Sequence, residues 1–175
     1  MRFGKIIVSL AVIAVSTAAA RPAIRVYRNA DWAFSVNVPA GMHYQVNRPP
    51  SPNHGFQITI SNGAFAWINA DSSDDQSLSE ASASEVNLWT AQGCRMTTRL
   101  DGTLGGRPAE RLTLRCLAGV ERNQPKVILL IVGFAAPPGI NNTVYTVGAT
   151  YPENGHDEAR ARAAFDAIQH GFRFN

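Results

Sequence analysis

An α+β domain, an antiparallel β-sheet with two helices packed on it, is the fold class this 175-residue sequence predicts. Three observations predict it. Short runs in which apolar and polar residues alternate recur between turn signals, the pattern of half-buried strands. Only two stretches carry helical signatures, 78–92 and 157–170, too few to alternate with every strand as a parallel sheet requires. Residues 93–117 read as a hairpin with Cys94 and Cys116 near its ends and a glycine-rich turn between them.

Residues 1–20 predict an export signal. Arg2 and Lys5 give a basic start, 6–15 is mostly apolar, and Ala18-Ala19-Ala20 offers a small-residue cleavage site. The apolar run is shorter than the ~20 residues of a membrane helix, and no later stretch approaches that length, so no transmembrane anchor is expected after cleavage. Removing the signal takes two of the 16 basic residues and none of the 13 acidic ones, which leaves 14 against 13. A net charge of +1 in an exported chain argues against nucleic acid as a partner. Residues 21–175 suffice for one domain with its own core.

In order, residues 23–27 open with a strand. Phe34, Val36 and Val38 alternate with Ser35 and Asn37 and end at Pro39. Residues 42–46 continue extended. Pro49, Pro50 and Pro52 then mark an exposed loop over 48–55. Phe56, Ile58 and Ile60 alternate, Asn62-Gly63 turns, and 65–70 returns as the partner strand. Ser77 followed by Glu80 is a capping box, which starts a helix over 78–92, with Gly93 as its stop. Leu78, Ala81, Leu88 and Trp89 are its expected inner face. Residues 126–136 are so uniformly apolar that they predict a strand covered on both faces. Pro137-Pro138-Gly139 turns the chain, and 143–151 comes back as the next strand. From 157 to 170, Ala161, Ala164, Phe165 and Ile168 share one helical face, and Glu158–Arg162 and Arg162–Asp166 are spaced for outer ion pairs. Phe172-Arg173-Phe174 forms a short final strand or docking tail.

Centring the hairpin on Gly105 opposes residues whose numbers sum to 210. That register places Cys94 opposite Cys116 and sorts the hairpin into two faces. Cys94, Met96, Thr98, Leu100, Leu112, Leu114 and Cys116 share one; Arg95, Thr97, Arg99, Arg111, Thr113 and Arg115 share the other. Two cysteines in an oxidising compartment predict one structural disulfide, worth ~3 kcal/mol on a chain-entropy account. Opposed arginines destabilise a sheet by some tenths of a kcal/mol. The face Arg95, Arg99, Arg111 and Arg115 is thus either a solvated outer surface or the contact for an acidic partner. His54 and Phe56, at the end of the proline-rich loop, are a second candidate contact.

No catalytic signature is present. His43, His54, His156 and His170 fall in no metal-ligand or catalytic spacing. There is no nucleophile elbow, phosphate loop or dinucleotide fingerprint. Asp71, Asp74, Asp75 and Glu80 lack the alternation and glycine of a calcium loop, and acidic residues before a helix are favoured by its dipole. Asn141-Asn142-Thr143 matches a glycosylation sequon. Trp32, Trp67 and Trp89 are expected in the core, with an aromatic recognition edge as the alternative. No catalytic residue, metal or cofactor is expected.

The opening strand Phe34-Ser35-Val36-Asn37-Val38-Pro39 and the meander Leu104-Gly105-Gly106-Arg107-Pro108-Ala109 resemble those of the Mog1/PsbP-like superfamily. So does the ending, a strand at 144–149 followed by a helix with Phe165, Ile168 and a terminal Phe172. The resemblance covers most of residues 21–175. It implies a sandwich of that type and a non-enzymatic accessory role in protein binding, assembly or ligand carriage; it transfers no set of functional residues. The expected function is therefore an exported, periplasmic or secreted binding protein that docks on an envelope protein. The alternatives are an immunity or inhibitor protein against an envelope-directed toxin or hydrolase, and a hydrolase with an unrecognised site.

Overall fold

A computed structural model of the chain describes residues 24–47, 55–117, 125–136, 142–153 and 155–175. The expected export signal, most of the proline-rich loop with His54, the turn at 137–139 and the first residue of the sequon lie outside them. Ten strands and two helices form in the described residues: β1 (Ile24–Asn29), β2 (Phe34–Pro39), β3 (Gln45–Val46), β4 (Phe56–Ser61), β5 (Ala64–Ser73), α1 (Leu78–Ala91), β6 (Cys94–Leu104), β7 (Arg107–Cys116), β8 (Lys126–Ala135), β9 (Asn142–Pro152), α2 (Glu158–Gly171) and β10 (Phe172–Phe174).

The strands make two antiparallel sheets rather than one. Seven pair in the order β3-β4-β5-β9-β8-β7-β6, and β1-β2-β10 form a separate three-stranded sheet. The small sheet and α2 cover one face of the large sheet, burying Phe34, Val36 and Phe172 with Ile68, Ile131, Val147 and the α2 residues Ala161, Ala164, Phe165 and Ile168. The opposite face carries α1 and buries Trp67, Ala81, Leu112, Leu114, Ile128, Leu130 and the two cysteines. β8 accordingly alternates between two interiors: Val127, Leu129 and Ile131 face one, Ile128, Leu130 and Val132 the other. That is why its sequence is apolar without a break.

Local signals explain the boundaries. The Ser77 side chain accepts from the Glu80 amide at 3.2 Å, and Glu80 Oε2 accepts from the amide of Gln76 at 2.7 Å, so the box closes one residue further out than its usual form. Of the expected inner face of α1, Ala81 is buried and Leu78 and Trp89 pack partly, but Leu88 is 56% exposed. Ser82 and Val86 take the inward places, because the helix leans toward the β6 edge of the sheet.

The Cys94–Cys116 disulfide forms. Near it the 210 register holds, with Arg95 opposite Arg115 and Met96 opposite Leu114. A bulge at Thr97 then shifts the pairing, so that Thr98 faces Thr113, Arg99 faces Leu112, and Leu104 faces Arg107. The cause is the turn. Gly105 and Gly106 both take positive φ, 58° and 81°, which makes a two-residue loop of the type that follows strand twist. A two-residue loop opposes residues that sum to 211; one bulged residue reconciles that with the cysteine pair.

Candidate binding surfaces

The bulge redistributes the hairpin side chains. Arg95, Arg111 and Arg115 stay together on the face toward α2, joined by Thr98 and Leu100, which had been expected on the apolar side. Arg99 crosses to the α1 face. There it bonds Glu110 at 2.7 Å and donates to Ser79 of α1 at 3.3 Å. Burial opposes ionisation of Glu110, but the hydrogen bond and charge of Arg99 work against it, and the carboxyl is held below its usual value. A four-arginine face is thus corrected to three, and Arg99 is a staple between β6 and α1.

β6 is the outermost strand, paired only with β7, and residues 95–101 are exposed throughout. Beside it, between β7, the end of β9 and α2, runs a cleft of about 480 Å³. Arg95, Arg115 and Arg162 supply its cations, Thr97, Thr98, Thr113 and Tyr151 its hydroxyls. Arg115 pairs with Glu153 at 2.7 Å. Arg162 binds Glu158 at 2.8 Å and donates to the Tyr151 hydroxyl at 2.7 Å. Burial raises the Tyr151 pKa against the pull of Arg162, so this phenol stays protonated and able to donate in turn. Arg95 has no ion-pair partner among the described residues. Arg111 lies further along, 5.5 Å over the Phe165 ring and 3.6 Å from Asp166, the partner that sequence spacing had given to Arg162.

Sequence reasoning missed Arg162, Tyr151 and Glu153 as neighbours of the arginine face. The spacing that marked Arg162 for an ion pair with Glu158 was visible, but nothing local said that α2 lies beside β7. Phe56 is corrected from a contact residue to a core residue. It is fully buried, with ring centroids of Tyr27 and Tyr44 each 4.9 Å away, because its inward parity in β4 outweighs its nearness to the loop. His54 lies outside the described residues.

The other candidates disperse. His43 and His156 lie exposed in loops and His170 at the end of α2. Asp75 accepts from Ser73 and Ser84, and its backbone carbonyl accepts from Asn142, so it ties β5 and β9 to α1. Among the described residues no group of three or more His, Cys, Asp or Glu is placed to hold a metal ion, and no helix is long and apolar enough to cross a membrane.

No protein-family model and no curated protein sequence matches the chain. Solved structures do. LpqN, involved in cell envelope biogenesis of Mycobacterium tuberculosis, superposes with a TM-score of 0.60 at 13% identity, over 90% of this chain and 87% of that one. The cyanobacterial PsbP of Synechocystis gives 0.55 at 13% identity, over 92% and 98%. The Ran-binding protein Mog1p of Saccharomyces cerevisiae gives 0.53 at 13% identity, over 88% and 96%. Two helices on antiparallel sheets, shared over nearly the full length of each, give this chain the Mog1/PsbP-like fold.

Proposed function

We propose that this chain is an exported, non-enzymatic binding protein that docks an acidic surface of an envelope protein on the cleft between β6, β7 and α2. The observation that carries the reading is Arg95, a guanidinium without a carboxylate partner among the described residues, in a cleft where Arg115 and Arg162 already hold one carboxylate each. An acidic side chain there meets an unneutralised, bidentate donor. Exposed Leu100, 62% accessible, adds apolar area on the same face of the outer strand. An edge strand with free backbone groups is also a ready template for an extended segment. Export rests on residues 1–20. LpqN and Mog1p, one involved in cell envelope biogenesis and one Ran-binding, are consistent with a fold used for binding.

The test is affinity capture from the envelope fraction with the exported chain and with an Arg95→Glu/Arg115→Glu variant whose melting curve matches it. A partner held by the first, lost by the second and released as salt rises supports the cleft as the contact. A charge reversal on the partner that restores binding to the variant assigns the pairing. A partner held equally by both moves the contact elsewhere on the molecule. Capture of nothing by either overturns protein docking.

A further inference from the structure

The α1 side of the large sheet is only half covered. α1 lies over β6, β7 and β8. Between its flank and the β4–β5 end of the sheet runs a groove of about 340 Å³, on the opposite side of the sheet from the arginine cleft. Its floor is aromatic. The Trp67 indole lies across Gly148 of β9 so closely that a Cβ there would stand 2.2 Å from the ring. Trp67 itself is buried, 8% exposed, so the ring surface open to a ligand comes from Phe65 and Trp89, both half-buried, which flank it at centroid separations of 5.3 and 6.3 Å. The rim is polar and built from two directions. Gln57 and Asn69 rise from the strands and Gln92 from the end of α1. No lysine or arginine lines it, whereas two carboxylates do, Asp71 and Glu85.

We infer that this groove binds a neutral saccharide of one to three rings. Aromatic faces pack against the C–H faces of a pyranose. The Gln57 and Gln92 carboxamides each offer a donor pair and an acceptor, which is what adjacent sugar hydroxyls require, while the Asn69 oxygen already accepts from Asn47. The volume lies in the range of small-ligand sites, and an apolar floor with a few convergent polar groups is their usual composition. The lack of cations removes phosphates and carboxylates as ligands. Glu85 stands on the α1 wall of the groove. Burial first, with the charges of Asp71 and Asp75 behind it, holds that carboxyl above its usual range against the pull of the Thr146 hydrogen bond. The Thr146 hydroxyl donates to it at 2.8 Å. Carboxylate oxygens accept from sugar hydroxyls as carboxamide oxygens do, and a cationic ligand is the competing class that the experiment separates.

The experiment titrates the exported chain with maltotriose, cellotriose and N,N′-diacetylchitobiose, following tryptophan emission and calorimetric heat, with acetylcholine and spermidine as cationic probes. At least one saccharide should saturate with a shift in emission. Affinity should fall by about tenfold or more in Trp89→Ala and in Gln57→Ala, and stay unchanged in Arg95→Glu. Gln57→Ala alters only a rim side chain and guards against loss of fold in the tryptophan variant. Saturation by neither sugar class, saturation by an amine alone, or saccharide binding that survives both groove substitutions overturns the inference. None of these outcomes depends on whether a protein partner is found for the arginine cleft.

Discussion

The Glu85 carboxyl is raised above the ordinary glutamate value of 4.5 by burial first and by its acidic neighbours second. In a folded state that raises an acid's pKa, the native chain binds more protons than the unfolded one between the two values. Stability therefore falls as pH rises from about the ordinary value through the raised one. Glu85→Gln keeps an acceptor for Thr146 and removes the titration. The variant should melt higher than the parent at pH 8, and the gap should close as pH approaches the ordinary glutamate range; thermal melts at stepped pH read this directly. A gap that stays constant with pH would assign the effect to packing instead. Single residues were also where the sequence was least legible. The parity of Phe56 in β4 pointed inward all along, yet its place beside a proline-rich loop suggested a surface role; fold context decided. Arg99 was placed on the wrong face because a single register centred on Gly105 leaves out the bulge at Thr97. Trp67 is a core residue as expected, and Trp32 and Trp89 pack against the two cores only partly buried, a difference in depth that their local sequence pattern does not carry.

At the scale of elements, the hairpin shows what local pattern can and cannot carry. Paired cysteines and a Gly-Gly turn were sufficient to identify β6, β7 and the disulfide, since each rests on residues close in sequence. They over-determined the register: the turn demands pairs that sum to 211, the cysteines pairs that sum to 210, and the chain resolves the conflict at Thr97. The same logic made the capping box at Ser77 and the inner face of α2 legible. The disulfide spans 22 positions and ties the outermost strand to the sheet. Both cysteines are buried among Leu112, Leu114 and Ile128, so Cys94→Ala/Cys116→Ala replaces a linked pair by two small apolar groups without burying a polar one. Closing a loop of that length predicts a loss of ~3 kcal/mol, read as a lower urea midpoint with an m-value that rises as the uncrosslinked denatured chain expands. A drop in m-value instead would mean that β6 frays from the edge in the variant native state.

The whole molecule closes through its C-terminus. Nothing in the sequence announces that β10 pairs with β2, because the partners stand more than 130 positions apart and each is a short run with no preference for the other. The expected single sheet therefore became two. The closure is aromatic: Phe172 stacks on Phe34 at 5.6 Å, meets Tyr145 edge-on at 5.6 Å, and passes the contact to Phe174, which lies 5.2 Å from Tyr145. Arg107, just past the hairpin turn, stands 4.0 Å over the Phe174 ring, so the tail also touches the tip of β6–β7. Tyr145 donates to the Trp32 carbonyl at 2.9 Å and joins the large sheet to the loop between β1 and β2. Phe172 is fully buried where both sheets and α2 meet. Phe172→Ala should therefore cost ~3–5 kcal/mol, the range for emptying a large aromatic site in a core that relaxes only partly. Leu100→Ala, on the exposed strand edge, should stay within about 0.5 kcal/mol. Denaturant melts of the two variants give the contrast. Hydrogen exchange then reports where the loss falls: if β10 closes the fold, β1 and β2 lose protection in Phe172→Ala together with α2, while the β6–β7 amides near the disulfide keep theirs. Equal loss of protection in all strands would show instead that the two sheets unfold as one unit.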